Sequence, residues 1–236
     1  MIWLSIFLIG TVIYYIVSDI QLMKKGLNSI PRASIYRSLL TTQWLLVFGL
    51  LLLWWLLDFR FEDLFYYNGE AGTGIVFENR EMFLGILVGA ILVVVILPFF
   101  MKKGRNIEAF EKIDFMLPKT IGQRVTFFFI AVTAGVCEEI IFRGATTYLL
   151  LNIGVELPIW AIGVIGAVLF GLAHWYQGLS GIVTTGLIGY AMFNLYVQTG
   201  SLLVPMLVHF LIDVKFVFMP DWRKKAGVLQ GETAKS

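Results

Sequence analysis

Apolar runs long enough to cross a bilayer recur along this chain, and they limit what it can fold into more than any other feature. A membrane-spanning helix takes about 20 mostly apolar residues. Runs such as "WLLVFGLLLLWWLL" from Trp44 and "GILVGAILVVVILPFF" from Gly85 have that character. Of the 236 residues, 58% are hydrophobic and only 14% are charged, against roughly 25% charged in a soluble domain. A soluble enzyme is excluded. The expected fold is all-α, a polytopic transmembrane helix bundle of about seven spans, with eight the alternative count. The spans are expected near 2–23, 38–58, 83–101, 125–151, 156–176, 179–198 and 201–219. No basic residue precedes the first, and Lys24 and Lys25 follow it. That is the reverse of a secretory signal, so the segment is expected to be retained.

Charge sets the expected orientation. Segments 24–37 and 102–124 and the tail after Asp221 hold 14 of the 18 Lys and Arg. Loop 59–82 holds Arg60 and Arg80 beside five acidic residues. With seven spans, the basic segments share one side, which the positive-inside rule makes cytoplasmic. The expectation is a multi-pass protein of the cell membrane, N-terminus outside and C-terminus in the cytoplasm. The net charge of +2 follows from this asymmetry and gives no reason to expect nucleic acid as a partner; the lipid bilayer is the partner composition implies. The single cysteine, Cys137, excludes an intramolecular disulfide.

The chain divides by texture. Residues 1–101 read as accessory transmembrane helices built from large side chains, with almost no polar group at mid-depth. Asp19 reads there as an interfacial carboxylate. Residues 102–120 read as an amphipathic cytoplasmic connector, 121–219 as the core and 220–236 as a polar cytoplasmic tail. In the core, Gly163, Ala167 and Gly171 form one small-residue row, and Gly181, Thr185 and Gly189 another. Such rows let helix backbones approach closely in lipid.

Against that apolar background stands "TAGVCEEIIFRGA", Thr133 to Ala145. A charge at the bilayer centre costs about 2.5–3.5 kcal/mol. Glu138, Glu139, Arg143 and Asp213 left unpaired would cost on the order of 10 kcal/mol. They must pair, face a wet cavity, or both. Glu139 and Arg143 are i and i+4 with the acid first, the favourable order for an ion pair. Glu138 points about 100° away around the helix and is left free to face something else. "FGLAH" places Phe170 and His174 one turn apart, and "HFLID" does the same for His209 and Asp213, so that Asp213 can orient His209. Counting 1.5 Å per residue from the outer ends puts His209, Glu138 and His174 at depths of about 13, 20 and 24 Å. Helix tilt can bring these depths together. An ion pair can also brace a bundle without chemistry, and a relay of such groups can carry protons; no broken helix pair or inverted repeat of the transporter kind is present.

Taken together and in this order, the three patterns resemble the CAAX protease and bacteriocin-processing (CPBP, or Abi) family of intramembrane glutamate peptidases. The carrying residues are Glu138, Glu139 and Arg143 in "EEIIFR", Phe170 and His174, and His209 with Asp213, preceded by the lead-in "FMLPKT" at Phe115–Thr120. The resemblance covers about 115–215. It implies a membrane-embedded endopeptidase in which Glu138 and His174 activate a water and His209, with Asp213, stabilises the oxyanion. Glu139, Arg143 and Phe170 are supporting. Asp213 departs from the Asn of the eukaryotic members; a carboxylate donates only when protonated, so Asp213 is expected to orient His209 instead. The implied substrate is a peptide or protein precursor in the membrane: a bacteriocin, a pheromone or a prenylated-type C-terminus. The alternative is a non-catalytic membrane scaffold or bacteriocin self-immunity protein. No cofactor is implied. One Glu with two His also resembles a zinc ligand set, which makes zinc the alternative, though no HExxH spacing is present.

Overall fold

The computed structural model describes residues 1–26, 29–67 and 113–218. The expected span 83–101, most of the 102–120 connector and the 220–236 tail lie outside the described residues. The described part is all-helical, apart from turns and one isolated antiparallel bridge between Tyr66 and Ser201. In chain order the helices are α1 (Ile2–Lys25), α2 (Arg32–Leu56), the short α3 (Glu62–Phe65), α4 (Ile121–Glu139), α5 (Thr146–Asn152), α6 (Ile159–Leu172), α7 (Gly178–Thr199) and α8 (Leu203–Phe218). A π-helical segment, Ile140–Ala145, joins α4 to α5, and a 3₁₀ turn, Trp175–Gln177, leads into α7.

Among the described residues, four stretches are long and apolar enough to cross a membrane: Ile2–Lys25, Arg32–Leu56, Ile121–Asn152 and Trp175–Thr199. The other two expected crossings that fall within the described residues are shorter than the sequence indicates. α6 has 14 residues and α8 has 16, which is about 21 and 24 Å of helix. The break after α6 comes where Ala173 and His174 leave the helix and Gly178 takes φ 71°.

Local chemistry fixes the helix ends. α1 stops at Gly26, φ 81°, after Lys24 and Lys25 in its last turn, where cations complement the helix dipole. α2 starts at Arg32, six residues before the expected span, because that end is anchored. Arg32 donates to the Asp114 carbonyl at 2.7 Å and the Leu117 carbonyl at 3.0 Å, and the Tyr36 hydroxyl donates to the Met116 carbonyl at 2.8 Å. α4 opens with a reciprocal capping box between Thr120 and Gln123. Arg124, one turn in, donates to the Val217 carbonyl near the end of α8. Basic residues of α2, the 113–120 stretch and α4 thus gather at one end of the bundle. At the other end, Phe65 and Tyr67 bond Leu202 and Gly200 in the α7–α8 connection.

The core runs along α4, the π segment and α5, where Ala131, Cys137, Ile141 and Ala145 are buried. The outer faces of α1 and α2 present Ile6, Ile9, Leu45, Phe48 and Trp55, as lipid-facing surfaces do. α6 and α7 make an extensive helix–helix contact, through small residues as expected, but the row on α7 differs. The Gly186 position lies 3.2 Å from the Ala167 carbonyl and that of Gly171 only 2.6 Å from the Ile182 carbonyl, measured from where a Cβ would sit. Ile182, Gly186 and Gly189 therefore face α6, while Gly181 and Thr185 turn toward Gln177 of the preceding turn.

α4 and α8 meet backbone to backbone at Gly135. A Cβ there would lie 3.0 Å from the Met206 carbonyl and 3.1 Å from the Phe210 nitrogen. Gly135→Val has no room unless α8 moves away. The expected cost is about 1–3 kcal/mol, typical of overpacking, read as a lower Tm in detergent.

Candidate active site

Glu138 and Glu139 close α4, one residue before the π segment begins. The six π residues contain Arg143. Such insertions are rare and frequently occur at functional sites. The pairing read from the sequence survives the irregular backbone: Arg143 Nη1 donates to Glu139 Oε1 at 2.8 Å, with Glu139 at 0% and Arg143 at 2% exposure. The guanidinium also reaches the Gly189 carbonyl at 3.3 Å and stacks 4.1 Å above the Phe170 ring. Gly189 is what admits it, since a Cβ there would come within 2.9 Å of Phe170 and 3.4 Å of Arg143.

His209, on α8, faces both glutamates. Its Nδ1 donates to the same Glu139 oxygen at 2.7 Å, and its Nε2 lies 3.8 Å from Glu138 Oε2 and 3.7 Å from Asp213 Oδ2. Asp213 stands beside His209 as the i, i+4 spacing places it, but the hydrogen bond to the ring is one the sequence reading did not include. The bond that fixes the ring comes from Glu139, because the close α4–α8 approach at Gly135 sets the two side chains opposite each other. Asp213 is a neighbouring charge at a longer distance.

His174 is also placed differently from the sequence reading. It lies past the end of α6, in the turn before the 3₁₀ segment, with φ −113° and ψ 36°. Its Nδ1 pairs with the Phe170 carbonyl at 2.9 Å. A carbonyl only accepts, so Nδ1 carries the hydrogen and Nε2 is left toward Glu138 Oε2, 3.9 Å away. Phe170 packs edge-on against both imidazoles, with ring centroids 4.7 Å from His174 and 6.0 Å from His209. All seven residues singled out by sequence thus converge, and the spread of depths estimated from residue counts closes.

Non-helical backbone at membrane depth needs partners inside the protein. In the turn after α6, His174 N–H donates to Gly171, and Gln177 N–H to His174, at 3.0 and 3.1 Å. Asp19 of α1 accepts from Tyr176 N–H at 3.1 Å. Asp19 is not merely interfacial, then: it completes the turn that carries His174.

The sequence reading missed Gln43 of α2. Its Nε2 donates to Glu138 Oε1 at 2.7 Å, with both residues buried. The signal was the lone side-chain amide of α2, at the start of its long apolar run, which in lipid calls for a hydrogen-bonding partner. Glu138 Oε2, by contrast, is buried with no hydrogen-bond partner among the described residues.

Residues 120–214 match the family model described as type II CAAX prenyl endopeptidase Rce1-like. Over that segment the chain is similar to the type II CAAX prenyl endopeptidases. All seven converging residues lie inside the match, while Asp19 and Gln43 lie outside it. No curated protein and no solved structure matches the chain. That similarity, with the apolar helices, supports a multi-pass membrane protein.

Arg143→Ala leaves Glu139 buried without its cation. The expected loss is about 3–5 kcal/mol, as for other broken buried pairs, measured by thermal unfolding in detergent. Changing both Glu139 and Arg143 to Gln removes both charges and is expected to recover most of that stability without recovering activity.

Proposed function

We propose that the chain hydrolyses a peptide bond within the membrane, using a water activated by Glu138 and His174. One observation carries this reading: the unpartnered Glu138 Oε2 lies 3.9 Å from His174 Nε2 and 3.8 Å from His209 Nε2. These gaps are too long for direct hydrogen bonds and leave room for a bridging water oxygen.

In the proposed step the water oxygen attacks the scissile carbonyl carbon, and one water proton passes to Glu138 Oε2. His174 Nε2 accepts a hydrogen bond from the same water, with its ring fixed through Nδ1 to the Phe170 carbonyl. The developing oxyanion takes a hydrogen bond from His209 Nε2. With Nδ1–H committed to Glu139, Nε2 donates from the imidazolium form, which Glu139 and Asp213 flank. On collapse the C–N bond breaks, and the proton held by Glu138 moves to the leaving nitrogen, giving a carboxylic acid and an amine. Arg143 holds Glu139, and Phe170 spaces the two histidines. A positioned base contributes about 10²–10⁴-fold, and a preorganised oxyanion donor about 10²–10³-fold.

The proposed substrate is a peptide or protein precursor held in the membrane: a prenylated-type C-terminus, a bacteriocin or a pheromone. The proposed location is the cell membrane, with the N-terminus outside and the C-terminus in the cytoplasm. The gathering of Arg32, Lys119 and Arg124 at one end of the bundle supports that orientation. The reaction is proposed to need no metal.

Glu138→Gln and His174→Ala are expected to abolish cleavage with normal accumulation in the membrane, and Cys137→Ala, a buried thiol, to leave it unchanged. Full activity in Glu138→Gln would remove the base. If Glu138→Gln at normal abundance restored the phenotype of a deletion, a scaffold or self-immunity role would replace catalysis.

1,10-Phenanthroline is expected to leave the cleavage rate unchanged. Inhibition reversed by added zinc would assign the same residues to a metal.

A further inference from the structure

Glu138 has two carboxylate oxygens, and the protein treats them differently. Oε1 accepts a 2.7 Å hydrogen bond from Gln43 Nε2, while Oε2 has no partner among the described residues and faces the two imidazoles. Gln43 sits on α2, outside the family-matched segment 120–214, and is 4% exposed. An ionised carboxylate only accepts, so the amide nitrogen of Gln43 must face it. α2 is itself held in place along α4. Trp44, the next residue, donates through Nε1 to Thr133 Oγ1 at 3.1 Å, and Arg32 and Tyr36 anchor its first turns to the 113–120 stretch.

We infer that Gln43 is a positioning residue for Glu138: its amide ties down Oε1, fixes the carboxylate plane, and leaves Oε2 as the single oxygen able to take a proton from water. This rests on the catalytic role proposed for Glu138. It makes α2 part of the active site, although that helix carries none of the family's motif residues. Without the amide the carboxylate is free to turn about its terminal bond, where torsional preferences are broad. Misplacement of a reacting group by about 1 Å can cost 10²-fold in rate. Substrate binding, which Gln43 does not touch in this scheme, is unaffected.

Two variants test this. Gln43→Met keeps the length and apolar fit of the side chain and removes the donor. Gln43→Asn keeps the donor but draws it back by about one methylene. The substrate is an internally quenched farnesylated peptide ending in a CAAX tetrapeptide, in detergent micelles. Both variants are expected to lower kcat about 10–100-fold with KM within about twofold, a split that marks an interaction used in the chemical step, and to remain folded at the assay temperature. An unchanged kcat, or a raised KM at unchanged kcat, overturns the inference. If Gln43→Met does not fold, Gln43→Asn decides the matter.

A second readout does not depend on activity. The infrared difference between wild type and Glu138→Gln gives the carboxylate stretch of Glu138. On the Gln43→Met or Gln43→Asn background that band is expected to shift, because one oxygen has lost its donor. An unshifted band overturns the inference. A shifted band in a protein that cleaves no peptide upholds the tie between Gln43 and Glu138 and removes the proposed function instead.

Discussion

The buried contact among Glu139, Arg143 and His209 is the constraint on which the rest of the structure depends. One glutamate oxygen receives two donors from two helices at 2.8 and 2.7 Å, with almost no exposure of the ion pair. In lipid neither charge has water to fall back on, so the helices must hold the partners together or lose the fold. This contact joins α4 to α8 and fixes the imidazole that faces Glu138. The same arginine reaches the Gly189 carbonyl and the Phe170 ring, which draws α6 and α7 into the site. On the proposed function, this stabilising contact shares His209 with the catalytic groups.

Such a cluster forms only where backbones come close. The contact at Gly135 lets α8 lie against α4, and Gly171, Gly186 and Gly189 let α7 lie against α6 and Arg143. No hydrophobic effect draws helices together within a bilayer, so close van der Waals approach and interhelical hydrogen bonds carry the association. The π segment adds a local change of phase at the residues that need it. Thr146 Oγ1 donates five residues back, to the Ile141 carbonyl, at 2.9 Å, so the irregular turn finds partners within its own backbone and side chains.

The first two helices look like a lipid-facing jacket, yet each sends one polar side chain inward to the site. Asp19 binds the amide of Tyr176 beside His174, and Gln43 binds Glu138. The shortness of α6 explains the first contact. A helix of 14 residues ends inside the membrane's depth, and the turn that follows has backbone groups to satisfy. An outlying helix with a carboxylate is a direct way to do so.

The sequence by itself determined the solvent, the fold class and the polar residues that converge. Length and hydropathy of the runs specify membrane helices, and each charge in lipid announces its need for a partner, which is why Glu138, Glu139, Arg143, Phe170, His174, His209 and Asp213 could all be named. The i, i+4 pairing of Glu139 with Arg143 was legible because it lies within one helix. Tertiary structure decided what lies between helices: that Glu139 bonds His209, that His174 stands on a turn, that Ile182 and Gly186 rather than Gly181 and Thr185 meet α6, and that Gln43 and Asp19 reach Glu138 and the turn of His174. The physical reason is one of range. Sequence spacing fixes the angle of a side chain around its own helix, but the rotation and depth of one helix against another come from packing summed over the whole bundle.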